Sequence, residues 1–289
     1  MAPKRSRRKK KAVPIDRPRP KRSFGQNFLT HGPTINTIAD FVQIPGNRTV
    51  IELGVGRGAL TRALAHRVGP DGRVIGFEID RELVRWLRAE EILPENVELR
   101  HEDMLTISLS QLQSETGGPV VIAANLPYNI STEIVFKLIE ERDMLQQAVL
   151  MFQKEVAERL IAGPGSKKYG VISVLVGQCM KVKKLMDVPP GLFSPRPKVV
   201  SSVIEIRPSD KSMDVGRKEV FRLVVKQAFS KRRKTIRNAL RDLYSACPSM
   251  LDQALEKAGI DPAWRPEMID VKAFALLARF SQSCLSKED

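Results

Sequence analysis

From about residue 48 to residue 208, short dense apolar runs alternate with amphipathic stretches, and that alternation predicts the architecture. The runs "RTVIELG", "RVIGFEID", "NVELRH" and "GPVVIAANL" are rich in β-branched residues and bounded by turn formers, so each reads as a strand. Helical spacing separates the first three, over residues 58 to 67 and 81 to 90. Further on come a helix over residues 132 to 142, a strand near "QAVLMFQ", a helix over residues 153 to 162, and strand-like runs at "KKLMDVP" and "SSVIEIRP". Ahead of these, Ile35, Ile38, Phe41 and Val42 share one helix face. Strands alternating with helices imply βαβ units and a mainly parallel sheet, an α/β fold whose ligands collect at the carboxyl ends of the strands.

The period changes after residues 208 to 216, "PSDKSMDVG", a polar stretch expected to be a linker. Beyond it, "KEVFRLVVKQAFSKRRKTIRNALRDLY" and "DVKAFALLARFSQ" are helical in spacing, with no convincing strand between them. The expected organisation is a tail over residues 1–22, an α/β domain over 23–207 and a small all-helical domain over 208–289.

Charge sharpens this picture at both ends. The formal charge of +15 is concentrated in residues 1 to 22, which hold eleven Lys or Arg against the single acid Asp16. With four prolines and few apolar residues, that tail is expected to be disordered and to neutralise phosphates without reading sequence. Between Lys226 and Arg241 lie seven basic residues and no acid, while Val225, Phe229, Ile236 and Leu240 keep an apolar stripe. Lys231, Arg232, Arg233 and Lys234 are therefore candidates to meet phosphates from a helix–turn–helix. Three widely spaced cysteines suggest neither a disulfide framework nor a zinc site, and fit a reducing compartment. His31, His66 and His101 are too scattered to suggest a metal site and are read as surface or capping residues. No apolar stretch reaches the roughly 18 residues a membrane span needs, so a cytoplasmic protein without a membrane or metal is expected.

Candidate chemistry begins at "VIELGVGRGAL", where Gly54, Gly56 and Gly58 form a strand-to-helix turn that lets a cofactor approach the backbone. With Ala59 the pattern also satisfies a dinucleotide fingerprint, and Glu78 stands where a carboxylate accepts ribose hydroxyls. NAD and S-adenosylmethionine both carry that ribose. Asp103 after the third strand and Asn125 after the fourth favour the methyl donor, in an order resembling class I methyltransferases that use it. Asp80 is read as a helix N-cap. In "NLPYNIST" the Asn125 side-chain carbonyl and the Leu126 main-chain carbonyl can accept the two N–H bonds of an adenine amine. Pro127 stiffens the turn and offers no N–H, and Tyr128 can stack on the base.

Taken in order, "FGQNFL", "IELGVGRGALT", "FEID", "EDML", "NLPYNIST", "QKEVAERLIAGPGSKKYGVISVL", "VPPGLFSPRPKVVSSV" and "FSKRRKTIRNAL" resemble the ribosomal RNA adenine N6,N6-dimethyltransferases in their bacterial 16S branch. The resemblance implies a Rossmann-like methyltransferase domain using S-adenosylmethionine, with Asn27 and Leu29 lining the cofactor pocket beside Gly54, Glu78, Asp103 and Asn125. It implies two adjacent adenosines in the 3′-terminal hairpin loop of 16S rRNA as substrate, on an immature small ribosomal subunit, and a monomeric enzyme. Phe193 would supply a second stacking face opposite Tyr128. Leu126 stands where the large-subunit erythromycin-resistance relatives usually carry Ile. A large-subunit dimethyltransferase and an assembly factor with lapsed catalysis remain the competing readings.

Overall fold

A computed structural model describes residues 16–285. Among the described residues nine strands form, β1 (Phe28–Leu29), β2 (Thr49–Leu53), β3 (Arg73–Glu78), β4 (Val97–His101), β5 (Val120–Asn125), β6 (Leu145–Gln153), β7 (Met180–Val188), β8 (Phe193–Ser194) and β9 (Ser201–Pro208). Seven of them make one sheet in the order β4-β3-β2-β5-β6-β9-β7. The pairs from β4 to β6 are parallel, and β9 joins β6 and β7 antiparallel. The mainly parallel sheet expected from the alternation is thus present, with an antiparallel edge.

Seven helices accompany the sheet: α1 (Gly32–Phe41), α2 (Ala59–Val68), α3 (Arg81–Ala89), α4 (Leu109–Thr116), α5 (Ser131–Glu140), α6 (Lys154–Ile161) and α7 (Val171–Gly177). The two-residue alternation of a strand sorts the central side chains into two layers. Ile51, Leu53, Ile75, Phe77, Ile122 and Ala124 pack into one core with α4, α5 and α7. Val50, Val74, Val121, Ala123 and Val149 pack into the other with α1 and α2. Both faces are covered, which is why β5 reads as an unbroken apolar run.

After β9 come α8 (Lys218–Ser230), α9 (Ile236–Leu240), α10 (Pro248–Lys257) and α11 (Val271–Leu285), with no further strand among the described residues. The first buried layer continues without a break through Val220, Val224, Tyr244, Leu277 and Ala278, so the helical region shares a core with the sheet domain. No helix among the described residues is long and apolar enough to cross a membrane.

Two sequence expectations change here. Cys247, which precedes α10, and Cys284, in the last turn of α11, form a disulfide with Cα atoms 6.4 Å apart. Packing of α10 on α11 brings them together across 37 residues, a proximity that sequence spacing does not reveal. The tail boundary at residue 22 also moves. Arg17 lies over the Trp86 ring at 5.9 Å, and the Pro18 carbonyl accepts from Arg57 at 3.1 Å, so this part of the tail packs on the domain. Residues 1–15, where most of the expected disordered tail falls, lie outside the described residues.

Candidate active site

The carboxyl ends of β2, β3 and β5 open onto a cavity of about 270 Å³. Its floor is the turn from β2 into α2. There Gly54 and Val55 donate to the Phe77 carbonyl at 2.9 and 3.1 Å, and Gly56 donates to Glu78 Oε2 at 2.7 Å. Gly54, Gly56 and Gly58 have φ of 79°, 57° and 73°, a region that costs any other residue strain. Space is short as well, since a Cβ on Gly56 would stand 3.1 Å from the Phe28 ring.

Three acids, Glu52, Glu78 and Asp103, line this cavity. Glu78 is buried, which raises its carboxyl above the usual range, while N–H bonds from Asp80 and Gly56 pull it back. Both of its oxygens are held in place, Oε1 by the Asp80 N–H at 2.9 Å. Asp103 accepts the Leu105 N–H on Oδ1 at 2.9 Å, which leaves Oδ2 for a ligand amine. Glu52 is 1% exposed, and its Oε2 has no partner. Desolvation pushes the Glu52 carboxyl up to about 8, with the Glu78 charge adding to it and the nearby Thr61 hydroxyl opposing it. The unpaired Glu52 oxygen and the glycine cradle suit a polar ligand that lies close to the backbone, and a positively charged one would favour loss of the Glu52 proton.

The Glu52 shift sets a stability signature. An unfolded Glu52 ionises near 4.5, whereas the folded one keeps its proton until about pH 8. The native state then binds the extra proton between these values, so its contribution falls as pH rises through that window. Glu52→Gln is expected to gain thermal stability relative to the unliganded parent from pH 5 to pH 8, and to keep a constant lead above. Melting curves across that range check it; parallel curves for the two proteins contradict it.

Asn125 closes β5 and is half-buried at the cavity wall. Its Nδ2 donates to the main-chain carbonyl of Asn27 at 3.1 Å. A carbonyl only accepts, so this contact fixes which way the amide points and leaves Oδ1 as the free acceptor. Asn27 is set in turn, its own Nδ2 donating to the Gly25 carbonyl at 3.1 Å. Leu126 is 2% exposed as a whole residue, and its side chain anchors the corner in the core. Pro127 and Tyr128 continue the cavity wall, and the Tyr128 hydroxyl is pinned to Ser201 Oγ at 2.8 Å. Leu29 lines the same cavity although it is largely buried.

Phe193 is the exception. It pairs with Leu29 in the short β1–β8 ladder, is 5% exposed, and belongs to the buried layer beside α1 rather than to the cavity wall. The stacking face expected of it is not presented, because pairing with β1 turns the ring into the core.

The basic turn divides into two kinds of residue. Lys231 is paired with Asp242, and Arg232 donates to the carbonyls of Lys167 and Tyr169 at 3.0 Å each, bracing the turn against the loop before α7. Arg233 and Lys234 are exposed. Beside them stands Trp264, 43% exposed, whose carbonyl accepts the Ile236 N–H at 2.6 Å. Its place next to the turn follows from tertiary packing, and no sequence spacing signals it. Glu52 reads in the sequence as a helix cap or loop acid, whereas it is buried within β2 beside the cavity, a place that sequence spacing does not signal. The three histidines are exposed or, in the case of His31, cap α1. Among the described residues no group of three His, Cys, Asp or Glu is placed to hold a metal ion.

The chain is similar to known proteins. A family model described as ribosomal RNA adenine dimethylase matches residues 18–280. The ribosomal RNA small subunit methyltransferase A of Desulfotalea psychrophila is 40% identical over 270 residues, covering 89% of this chain and 90% of that protein. Its namesake from Geobacter metallireducens is 41% identical over 264 residues, covering 90% of this chain and 95% of that one. A dimethyladenosine transferase from Plasmodium falciparum superposes with a TM-score of 0.72 at 25% identity, over 86% of this chain and 95% of that chain. The 23S rRNA methyltransferase ErmE shares the fold, with a TM-score of 0.64 at 24% identity over 88% of this chain and 99% of that chain. Residues 18–280 include the glycine turn, the Asn125 corner and the basic turn, and the chain belongs to the ribosomal RNA adenine dimethylase family.

Proposed function

We propose that the chain transfers methyl groups from S-adenosylmethionine to the N6 amines of two adjacent adenosines in the 3′-terminal hairpin loop of 16S rRNA. The substrate is an immature small ribosomal subunit, and the enzyme acts as a cytoplasmic monomer. The observation that carries this reading is the Asn125 amide, turned by the Asn27 carbonyl so that its oxygen is free at the wall of a glycine-floored cavity. Identity of 40% to a small subunit methyltransferase A supports the choice of subunit.

S-adenosylmethionine, when bound, supplies a methyl group made electrophilic by a sulfonium. Glu78 would hold its ribose hydroxyls, Asp103 its adenine amine and Glu52 its ammonium, with Asn27 and Leu29 along the wall. An adenine amine is a weak nucleophile because its lone pair is delocalised into the ring. Asn125 Oδ1 and the Leu126 carbonyl each take one of its N–H bonds, which draws the nitrogen toward tetrahedral geometry and aims the lone pair. Tyr128, held by Ser201, gives the base a face to stack on, so the adenosine must be unpaired or flipped. Placement contributes most of the rate, and the alkylated nitrogen is acidic enough to lose its proton to solvent without a strong base. A monomethylated amine still offers one N–H to the corner. A dimethylated one offers none and leaves, which limits the reaction to two rounds per adenosine.

Incubation with labelled S-adenosylmethionine and undermethylated small or large subunits tests the assignment. Two methyls on each of two adenosines of the small subunit are expected. Incorporation confined to large subunits overturns the substrate, and none on either overturns the activity. For the RNA grip, the double substitution Arg233→Ala and Lys234→Ala is expected to weaken binding and lower the salt slope by roughly two. Arg232→Ala acts differently, because it removes the donor to two carbonyls and lowers the melting temperature instead. Equal salt slopes for the parent and the double variant contradict this division.

A further inference from the structure

One buried carboxylate, two residues beyond Glu78, takes no part in the chemistry above. Asp80 caps α3 through the Glu82 N–H at 3.0 Å, a task an exposed side chain performs equally well. Yet Asp80 is 1% exposed and also accepts Lys21 Nζ on Oδ1 at 2.8 Å and Gln26 Nε2 on Oδ2 at 3.0 Å. Burial works against its charge, but the Lys21 and Gln26 donors outweigh it and hold the carboxyl below the usual range. Lys21 closes on Gln26 as well, its N–H donating to Gln26 Oε1 at 2.8 Å.

The segment fastened in this way runs across the cavity. Phe24, Gly25, Gln26 and Asn27 all line it. Gly25, at φ 60°, presses so closely on the catalytic corner that a Cβ there would stand 2.9 Å from Asn129 Oδ1. Two residues later the Asn27 carbonyl takes the Asn125 amide. A continuous path therefore links Asp80 through Gln26 and Asn27 to Asn125, and the Asp80 N–H is itself held by Glu78.

We propose that residues 17–27 form a strap over the cofactor cavity, that Asp80 is its latch, and that the closed latch sets the Asn125 amide through Asn27. Asp80 is thus a positioning residue that couples retention of the cofactor to the geometry of the amine acceptor. The proposal rests on the methyltransferase reading of the cavity, and its primary readout is chosen to be independent of methyl transfer.

Lys21→Met removes the ammonium and leaves Asp80 and its helix cap in place. Release of S-adenosylhomocysteine is followed in stopped flow without RNA, beside kcat and KM on undermethylated small subunits and a melting curve. A hydrogen bond to a charged group supports roughly a tenfold effect. Release about tenfold faster and kcat about tenfold lower are expected, with KM for the subunit unchanged, the melting temperature lowered because the buried Asp80 carboxylate loses its ion-pair partner, and Lys21→Arg restoring both rates. Asp80→Asn, which keeps a capping oxygen, is expected to behave like Lys21→Met. Parental release rates in Lys21→Met overturn the latch whether or not methyl transfer is seen. Faster release with kcat unchanged overturns the coupling to Asn125. Failure of the parent to methylate either subunit, with release still sensitive to Lys21, overturns the substrate reading and leaves the latch standing.

Discussion

Replacing Asn125 by Ala is expected to lower methyl incorporation by about 10²- to 10³-fold, the loss typical when one preorganised hydrogen-bonding group is taken from a reacting centre. Alanine deletes the oxygen that accepts one amine N–H and the Nδ2 that meets the Asn27 carbonyl at 3.1 Å. Leu126 alone then holds the base, and the lone pair is no longer aimed. Stability changes little, by about 0.5–1.5 kcal/mol for the one hydrogen bond lost. The fall is therefore in kcat, with cofactor affinity near that of the parent. Asn125→Asp is the sharper comparison, because it preserves size and an acceptor while removing the donor. Its carboxylate faces the Asn27 carbonyl with no proton to share, so the side chain turns away and most of the activity is lost. Rates close to the parent in Asn125→Asp would show that orientation by Asn27 is unimportant.

Glu78→Ala is expected to weaken S-adenosylhomocysteine binding by about 10²- to 10³-fold, since hydrogen bonds to a charged group contribute roughly 1.5–3 kcal/mol each and a ribose offers two hydroxyls. The substitution also strands the Gly56 and Asp80 N–H groups, whose bonds to Glu78 measure 2.7 and 2.9 Å. Part of the loss is thus a loosened glycine turn. Glu78→Gln separates the two effects by keeping an acceptor for one N–H while removing the charge, and an intermediate affinity is expected. Calorimetric titration of the parent and both variants measures this. Affinity unchanged in Glu78→Ala would place the ribose elsewhere.

Most of this site was legible because its residues are fixed by backbone position. Strand ends and glycine turns are local features, so Gly54, Glu78, Asp103 and Asn125 fall beside one cavity once the parallel order is known. Long-range packing was not legible in the same way. Phe193 was expected to stack on substrate, yet a two-residue ladder with Leu29, too short to leave a periodic signal, buries it. α7, "VISVLVG", is only seven residues long and apolar apart from Ser173, so it carries no helical period to read. Cys247 and Cys284 meet only because α11 packs on α10. The four cations of the basic turn look equivalent in sequence, but two are consumed by Asp242 and by the loop before α7. Asp80 was identified as a helix cap, and the cap is there; its second task appears only when the strap is in place.

The central claim is that an amide oxygen and a peptide oxygen hold the adenine amine at the end of β5. A crystal structure of the protein with S-adenosylhomocysteine and a short RNA carrying the target adenosine measures it directly. The account predicts N6 within about 3 Å of both Asn125 Oδ1 and the Leu126 carbonyl, with the base against Tyr128. An adenosine bound with its amine away from both oxygens, and residues 125–128 closed off from it, would contradict the account.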